Sequence, residues 1–397
     1  MGSRVAQPRL LVVLASVAFV SLGLPDGIVG VAWPSIRASF GLPIDALGAL
    51  LVAFTSGYVA SSFSSGFVLA RMGLGTLLAL SCLLTSVSLM GYAATPFWWP
   101  MVGLAAVAGL GAGAIDAGIN AYASLHLGPR LMSWLHACWG VGAATGPLVM
   151  TAVLQSGRPW QRGYLIVGLA QLLLAAAFAL SAPAWTNGVA PAAGSINAAT
   201  TPPAVASVRR GATWLGVLTF FIYTGLEGAF GVWSYTVLTE GRGVSAPVAG
   251  VCVSAFWGGL TVGRLLGALA GGSIPVTRTL RVCLLVIALA SATLAADLSQ
   301  PVTFAAVVVA GIACGPVFPS LMSTTEARLG APQVARAVGF QIGAAALGAA
   351  ILPAAIGWVA GRAGLESVGG MLLLLALVVL GVQEVLLRPI RSTTPRG

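Results

Sequence analysis

The sequence predicts an all-α, polytopic membrane protein with twelve transmembrane helices in two pseudo-symmetric six-helix halves. Composition, segment length and arginine placement carry that prediction. Hydrophobic residues make up 58% of the 397 and charged residues only 7%, where a soluble domain holds about 25% charged residues. Mean hydropathy is +0.98. Twelve apolar segments are long enough, at 1.5 Å per residue, to cross or nearly cross a hydrocarbon layer about 30 Å thick.

The segments run over residues 10–36, 45–70, 73–94, 97–126, 131–155, 161–182, 212–238, 246–270, 277–296, 301–325, 333–361 and 366–387. Arg4 and Arg9 precede the first, which continues past 20 residues without a small-residue cleavage site and so reads as a retained helix. Ala6 stands where a myristoylation signal needs Ser or Thr. Residues 183–210, rich in Pro, Ala, Ser and Thr, read as a cytoplasmic connector between halves 1–182 and 211–397. All 19 basic residues are arginines. With a cytoplasmic N-terminus, Arg37, Arg158, Arg162, Arg242 and Arg362 fall on the far side and the other fourteen on the near side. That split follows the positive-inside rule, with both termini in the cytoplasm and an inner or plasma membrane as the location.

The halves echo each other. Gly57 and Gly66 match Gly258 and Gly267 at an offset of 201, as Trp139-Gly-Val-Gly142 matches Phe340-Gln-Ile-Gly343. Gly109 and Gly113 match Gly311 and Gly315 at 202. Internal duplication is a hallmark of secondary transporters, whose sites lie near the midplane between repeats.

Several function classes are excluded. No basic cluster exceeds Arg209-Arg210, so the net charge of +10 is a topology signal and no nucleic-acid partner is expected. Cys82, Cys138, Cys252, Cys283 and Cys314 lie in apolar segments without a C-x-x-C pair, and read as packing residues. No metal-ligand cluster, phosphate loop or Ser/His/Asp set appears, so neither an enzyme nor a cofactor is expected.

The acids inside the segments are the functional candidates, because an ionisable group at bilayer depth costs at least about 2.5 kcal/mol and marks a pathway. Asp116 sits in the fourth segment with Asn120 one turn away on the same face. In the first, Pro25-Asp26-Gly27 suggests a broken helix, with Asp26 placed for binding or coupling or to satisfy freed backbone amides. Glu227, in the seventh, has Tyr223 one turn before it and no arginine expected at its depth to pair with it. Gly225, Gly228 and Gly231 there allow close approach of another helix. Trp139, Trp233 and Trp257 are candidates to stack on the apolar face of a sugar, with packing as the default. Gln341 is a candidate for a sugar hydroxyl and His136 reads as structural. Asp45, Glu240, Asp297, Glu326, Glu366 and Glu384 fall at helix ends and read as solvated caps.

Gly66-Phe-Val-Leu-Ala70-Arg71-Met-Gly73 resembles the G-x-x-x-D-R-x-G loop between helices 2 and 3 of the major facilitator superfamily, with Ala70 in place of the usual Asp. The resemblance implies a gating role for Gly66, Arg71 and Gly73, and for Arg264 at the matching place in the second half. Asp116-x-x-x-Asn120, Leu135-His-Ala-Cys-Trp139-Gly-Val-Gly142-Ala-Ala-Thr-Gly146-Pro147 and Tyr223-Thr-Gly-Leu-Glu227-Gly-Ala-Phe-Gly-Val-Trp233 are similar to stretches of its fucose-permease-like branch. That likeness implies the major facilitator fold and proton-coupled uptake of a sugar by a monomer in the bilayer, with Asp116 as the coupling acid. Branch members also carry a first-helix acid one turn before a proline; here Asp26 lies two turns before Pro34. The rival expectation is an efflux antiporter for drugs or metabolites, whose longer glycine-proline motif is half present in Gly142-Ala-Ala-Thr-Gly146-Pro147.

Overall fold

The computed structural model describes residues 9–126, 129–185, 206–270, 273–329 and 331–387. Within them lie thirteen α-helices: α1 (Arg9–Phe40), α2 (Leu47–Met72), α3 (Leu74–Ala94), α4 (Trp98–His126), α5 (Pro129–Gln155), α6 (Gln161–Ser181), α7 (Ala206–Thr236), α8 (Ala246–Ala270), α9 (Val276–Ala296), α10 (Gln300–Cys314), α11 (Val317–Leu329), α12 (Ala331–Ala363) and α13 (Ser367–Leu387). They make twelve membrane-length spans. The first, expected to break at Pro25-Asp26-Gly27, runs as one helix through Pro25 and Pro34, each of which removes a ladder bond without ending the helix. The tenth is broken at Gly315-Pro316, where proline has no backbone N–H to continue the ladder. Residues 186–205, the middle of the expected connector, lie outside the described residues. Its described ends are helical, and Trp185 is buried against Tyr122 and Phe178.

The two halves use the same pairings: α1 with α5, α2 with α4 and α3 with α6 recur as α7 with α12, α8 with α10 and α9 with α13. Glycines set these contacts. A Cβ on Gly109 would strike the carbonyl of Phe54, and one on Gly311 that of Phe256. Gly113 meets the Tyr58 carbonyl as Gly315 meets that of Leu260. Both glycine pairs and both carbonyl pairs keep the offset of 202.

Elsewhere the register departs from the expected one. Gly57 abuts Ala106, and its counterpart by contact is Gly259 against Val308, one residue beyond Gly258. In the α7–α12 pair, Gly343 faces open space, and the close approach falls at Gly348 against the Phe221 carbonyl. The matching contact in the first half is Gly142 on the Val20 carbonyl. Helix pairing is thus repeated, while α12 is shifted along α7.

The halves meet toward the face where α1 ends. There Arg37 pairs with Glu240 at 2.6 Å and Arg362 with Asp45 at 3.9 Å, Gly48 abuts Ala354, and Ser254 donates to the Ala144 carbonyl. Toward the opposite face, Gly66, Gly339 and Gly343 would meet nothing, and Phe63 and Phe67 are exposed. The bundle is closed at one end and splayed at the other. The end acids also differ from the expected caps: Asp45 and Glu240 take the pairs above, Asp297 and Glu366 bind Arg242, and Glu384 binds Arg281. A loop acid within reach of an arginine is better served by that cation than by water alone. The side chain of Glu326 lies outside what is described.

Candidate functional site: a chain of polar groups between the halves

The small residues of α4 place the first acid. Because Gly109 and Gly113 let α4 lie against the α2 backbone, the Tyr58 hydroxyl reaches Asp116 and donates to Oδ2 at 2.6 Å. Asn120, one turn on, donates to Oδ1 at 2.9 Å. Both carboxylate oxygens therefore have neutral donors. His136 on α5 is exposed, and its ring meets Phe19 edge-on at 5.4 Å.

In the second half, Tyr223 and Glu227 stand one turn apart on α7. The Tyr223 hydroxyl is 2.7 Å from Glu227 Oε2 and 2.7 Å from the Cys314 carbonyl, at the break between α10 and α11. A hydroxyl has one proton to donate. An ionised Glu227 competes with that carbonyl for it, whereas a protonated Glu227 can donate to the tyrosine oxygen and leave the proton for Cys314. This geometry ties the protonation of Glu227 to the hydrogen bond at the helix break.

Arg264 corrects the expectation that Glu227 has no cation. Expected at the gate, it turns inward instead, with Nη2 3.8 Å from Glu227 Oε1 and its guanidinium 5.2 Å from the Trp139 ring centroid. Trp139 packs edge-on against Trp257 at 5.6 Å and donates its indole N–H to Asp26 Oδ2 at 3.2 Å. A continuous path therefore runs Asp26–Trp139–Arg264–Glu227–Tyr223, from α1 and α5 of one half to α8 and α7 of the other.

Asp26 and Glu227 are related by the repeat: Glu227 lies 201 residues after Asp26, as Gly231 does after Gly30. A Cβ on Gly30 would touch the Gly231 carbonyl, as expected of equivalent residues facing each other across the pseudo-twofold axis. The glycine offsets contained this relation. Tyr58, the donor to Asp116, carried no sequence signal beyond being a polar ring in an apolar segment.

The remaining candidates, apart from Trp257 beside Trp139, lie away from the path. Trp233 is fully buried and donates to the Pro353 carbonyl at 2.9 Å, so it locks α7 to α12. Gln341 is buried, donates to Thr325 at 3.0 Å and approaches Gly216, roughly 16 Å along α7 from Glu227. Trp257 is buried, with its indole N–H unpaired. Gly66 is open, Arg71 stacks on Phe67 at 3.7 Å, and Gly73 ends α2 at a φ of 75°. Gly73 joins two helices there, at a φ open to glycine at little steric cost. Among the described residues no group of three or more metal-ligating side chains forms, and the five cysteines are unbonded.

Comparison with known proteins supplies the family. The family model described as Major Facilitator Superfamily matches residues 15–295. No curated protein sequence matches the chain. Solved structures share the fold at low identity. The nucleoside transporter NupG aligns with a TM-score of 0.79 and 13% identity over 96% of this chain and all of its own. A D-xylose–proton symporter gives 0.73 and 14% over 94% and 97%. A bacterial homologue of the lysosomal transporter Spinster, in an inward-facing unoccupied conformation, gives 0.71 and 14% over 97% and 96%. Twelve membrane-length spans, a repeated half and a family match over most of its length lead to one assignment: the chain belongs to the major facilitator superfamily, as a multi-pass membrane transporter.

Proposed function

We propose that this transporter couples protons to the uptake of a small polar organic solute, a sugar ahead of other classes, by alternating access. The observation that carries the reading is Asp116, a carboxyl group at membrane depth held by two neutral donors beside the splayed cleft. Closing an apolar cleft around ionised acids is disfavoured, so proton or solute contact accompanies the swing between states. Asp116 is the main protonation site, with Asp26 and Glu227 coupled through Trp139 and Arg264. Asn120 and the Trp139–Trp257 pair offer a sugar a hydroxyl partner and an apolar face. Tyr223, buried with its hydroxyl shared between Glu227 and the Cys314 carbonyl, acts through Glu227, and Trp233 and Gln341 bear on the cavity only through helix packing. A D-xylose–proton symporter and a nucleoside transporter share this fold, which supports a polyhydroxylated solute, as does the likeness to the fucose-permease-like branch.

The protein acts as a monomer in the inner or plasma membrane, with 1–182 and 211–397 as its moving halves. With both termini in the cytoplasm, the splayed end opens inward, Gly66, Arg71 and Gly73 lie at the inner gate, and Arg37–Glu240 closes the outer one.

A thermal-shift screen of the purified protein tests the substrate class. A neutral sugar or nucleoside at 100 times its Kd is expected to stabilise the fold by about 2.7 kcal/mol. Stabilisation by lipophilic cations alone would transfer the assignment to drug efflux.

A further inference from the structure

Within the first half, α1, α2, α3, α4 and α6 line a partly open cavity of about 70 Å³. That is too small for a solute site, since ligand pockets start near 300 Å³, yet several times the ~10–15 Å³ one water needs. Its polar lining comes from Ser21, Asp26, Thr85, Tyr92, Tyr164 and Gln171. Gln171 is 1% exposed; its Nε2 donates to the Ser21 carbonyl at 3.4 Å and its Oε1 has no partner. Trp139 serves Asp26 Oδ2, so among the described residues Oδ1 has no protein donor. The rings of Tyr92 and Tyr164 meet edge-on at 5.3 Å, and among the described residues neither hydroxyl has a protein partner. Buried polar groups are paired with protein or with ordered water, and several unpaired ones around one small cavity satisfy the usual condition for bound water.

We infer that this chamber binds a cluster of waters between Gln171 Oε1 and Asp26, keeping that acid in contact with exchangeable protons from within its own half while the cleft opens and closes. The ionisable groups around Asp26 are Asp116, Tyr58, Tyr92 and Tyr164. An excess proton carried by the chamber waters passes to the carboxylate and leaves neutral water behind, and the reverse step returns it to the cluster. The consequence for transport rests on the proton-coupled reading; the hydration does not.

Radiolytic hydroxyl-radical labelling of the full chain in nanodiscs tests the hydration directly, because bound water generates radicals in place. Tyr223, fully buried with protein partners on its hydroxyl, is the dry control. Tyr92 and Tyr164 are expected to label at least about tenfold faster than Tyr223, and labelling at the Tyr223 rate overturns the inference. Ala112→Leu, which fills the chamber, and Gln171→Leu, which removes the acceptor, are each expected to bring the two rates down to that of Tyr223. In proteoliposomes screened with D-xylose and uridine, Ala112→Leu is expected to slow pH-driven uptake about tenfold and spare equilibrium exchange. Unchanged pH-driven uptake in Ala112→Leu refutes the coupling to Asp26. Absence of pH-driven uptake in the wild type defeats the proton-coupled reading instead, and the labelling outcome stands apart from it.

Discussion

At the scale of the residue, the three intramembrane acids and their same-helix neighbours Asn120 and Tyr223 were legible from the cost of charge in hydrocarbon and from helical spacing, but their partners on other helices were not. Tyr58 and Arg264 reach Asp116 and Glu227 from other helices, and no local spacing reports a contact made across the bundle. The inward turn of Arg264 follows from its long side chain, which carries a guanidinium well away from its own helix. Tyr223→Phe leaves the Cys314 carbonyl without its donor and should destabilise the protein by about 1–3 kcal/mol, read as a lower melting temperature in detergent. Full stability in that variant would remove the hydrogen bond at the helix break. Arg264→Gln leaves Glu227 without a cation and should destabilise as well, by less than the ~3–5 kcal/mol of a fully buried tight pair. Adding Glu227→Gln should restore the melting temperature, and a double variant as unstable as the single one would contradict the pairing.

Among the elements, glycine spacing made the duplication visible and helix contact revised its register. The offset of 202 between Gly109 and Gly311 survives because both glycines lie under carbonyls of the partner helix. The 201 match of Gly142 with Gly343 does not survive, because a glycine in open space constrains nothing and the close approach on α12 falls at Gly348. Substitution separates the two cases. Gly348→Ala drives a methyl group into the Phe221 carbonyl and should cost about 1–3 kcal/mol. Gly343→Ala meets nothing and should gain up to about 1 kcal/mol from helix propensity. Equal effects at the two positions in a thermal melt would contradict the shifted register. The break at Gly315-Pro316 was not foreseen in the single segment 301–325, and that it receives the Tyr223 hydroxyl could not be, since the contact joins residues 91 apart.

For the whole molecule, apolar segment lengths and arginine asymmetry described the twelve spans, but which end is closed depends on pairs between the halves. Arg37 and Glu240 are 203 residues apart, and the loop acids looked like solvated caps until the fold brought them together. The Arg37–Glu240 pair is 29% exposed on each side and is worth about 0.2–1 kcal/mol. Arg37→Ala should therefore raise maleimide labelling of a cysteine at Ala354, beside the closed contact, by about 1.4- to 5-fold. The swap Arg37→Glu with Glu240→Arg should return labelling to the wild-type rate. In the proposed mechanism, carboxyl groups inside the bilayer carry the coupled proton, with Asp116 foremost. Its most direct test is proton flux into pyranine-loaded proteoliposomes on addition of each member of a panel of neutral sugars and nucleosides. The account predicts that at least one panel member drives proton flux through the wild type, while Asp116→Asn still exchanges that solute without moving protons. Proton flux in Asp116→Asn equal to wild type, or flux elicited only by lipophilic cations, would contradict it.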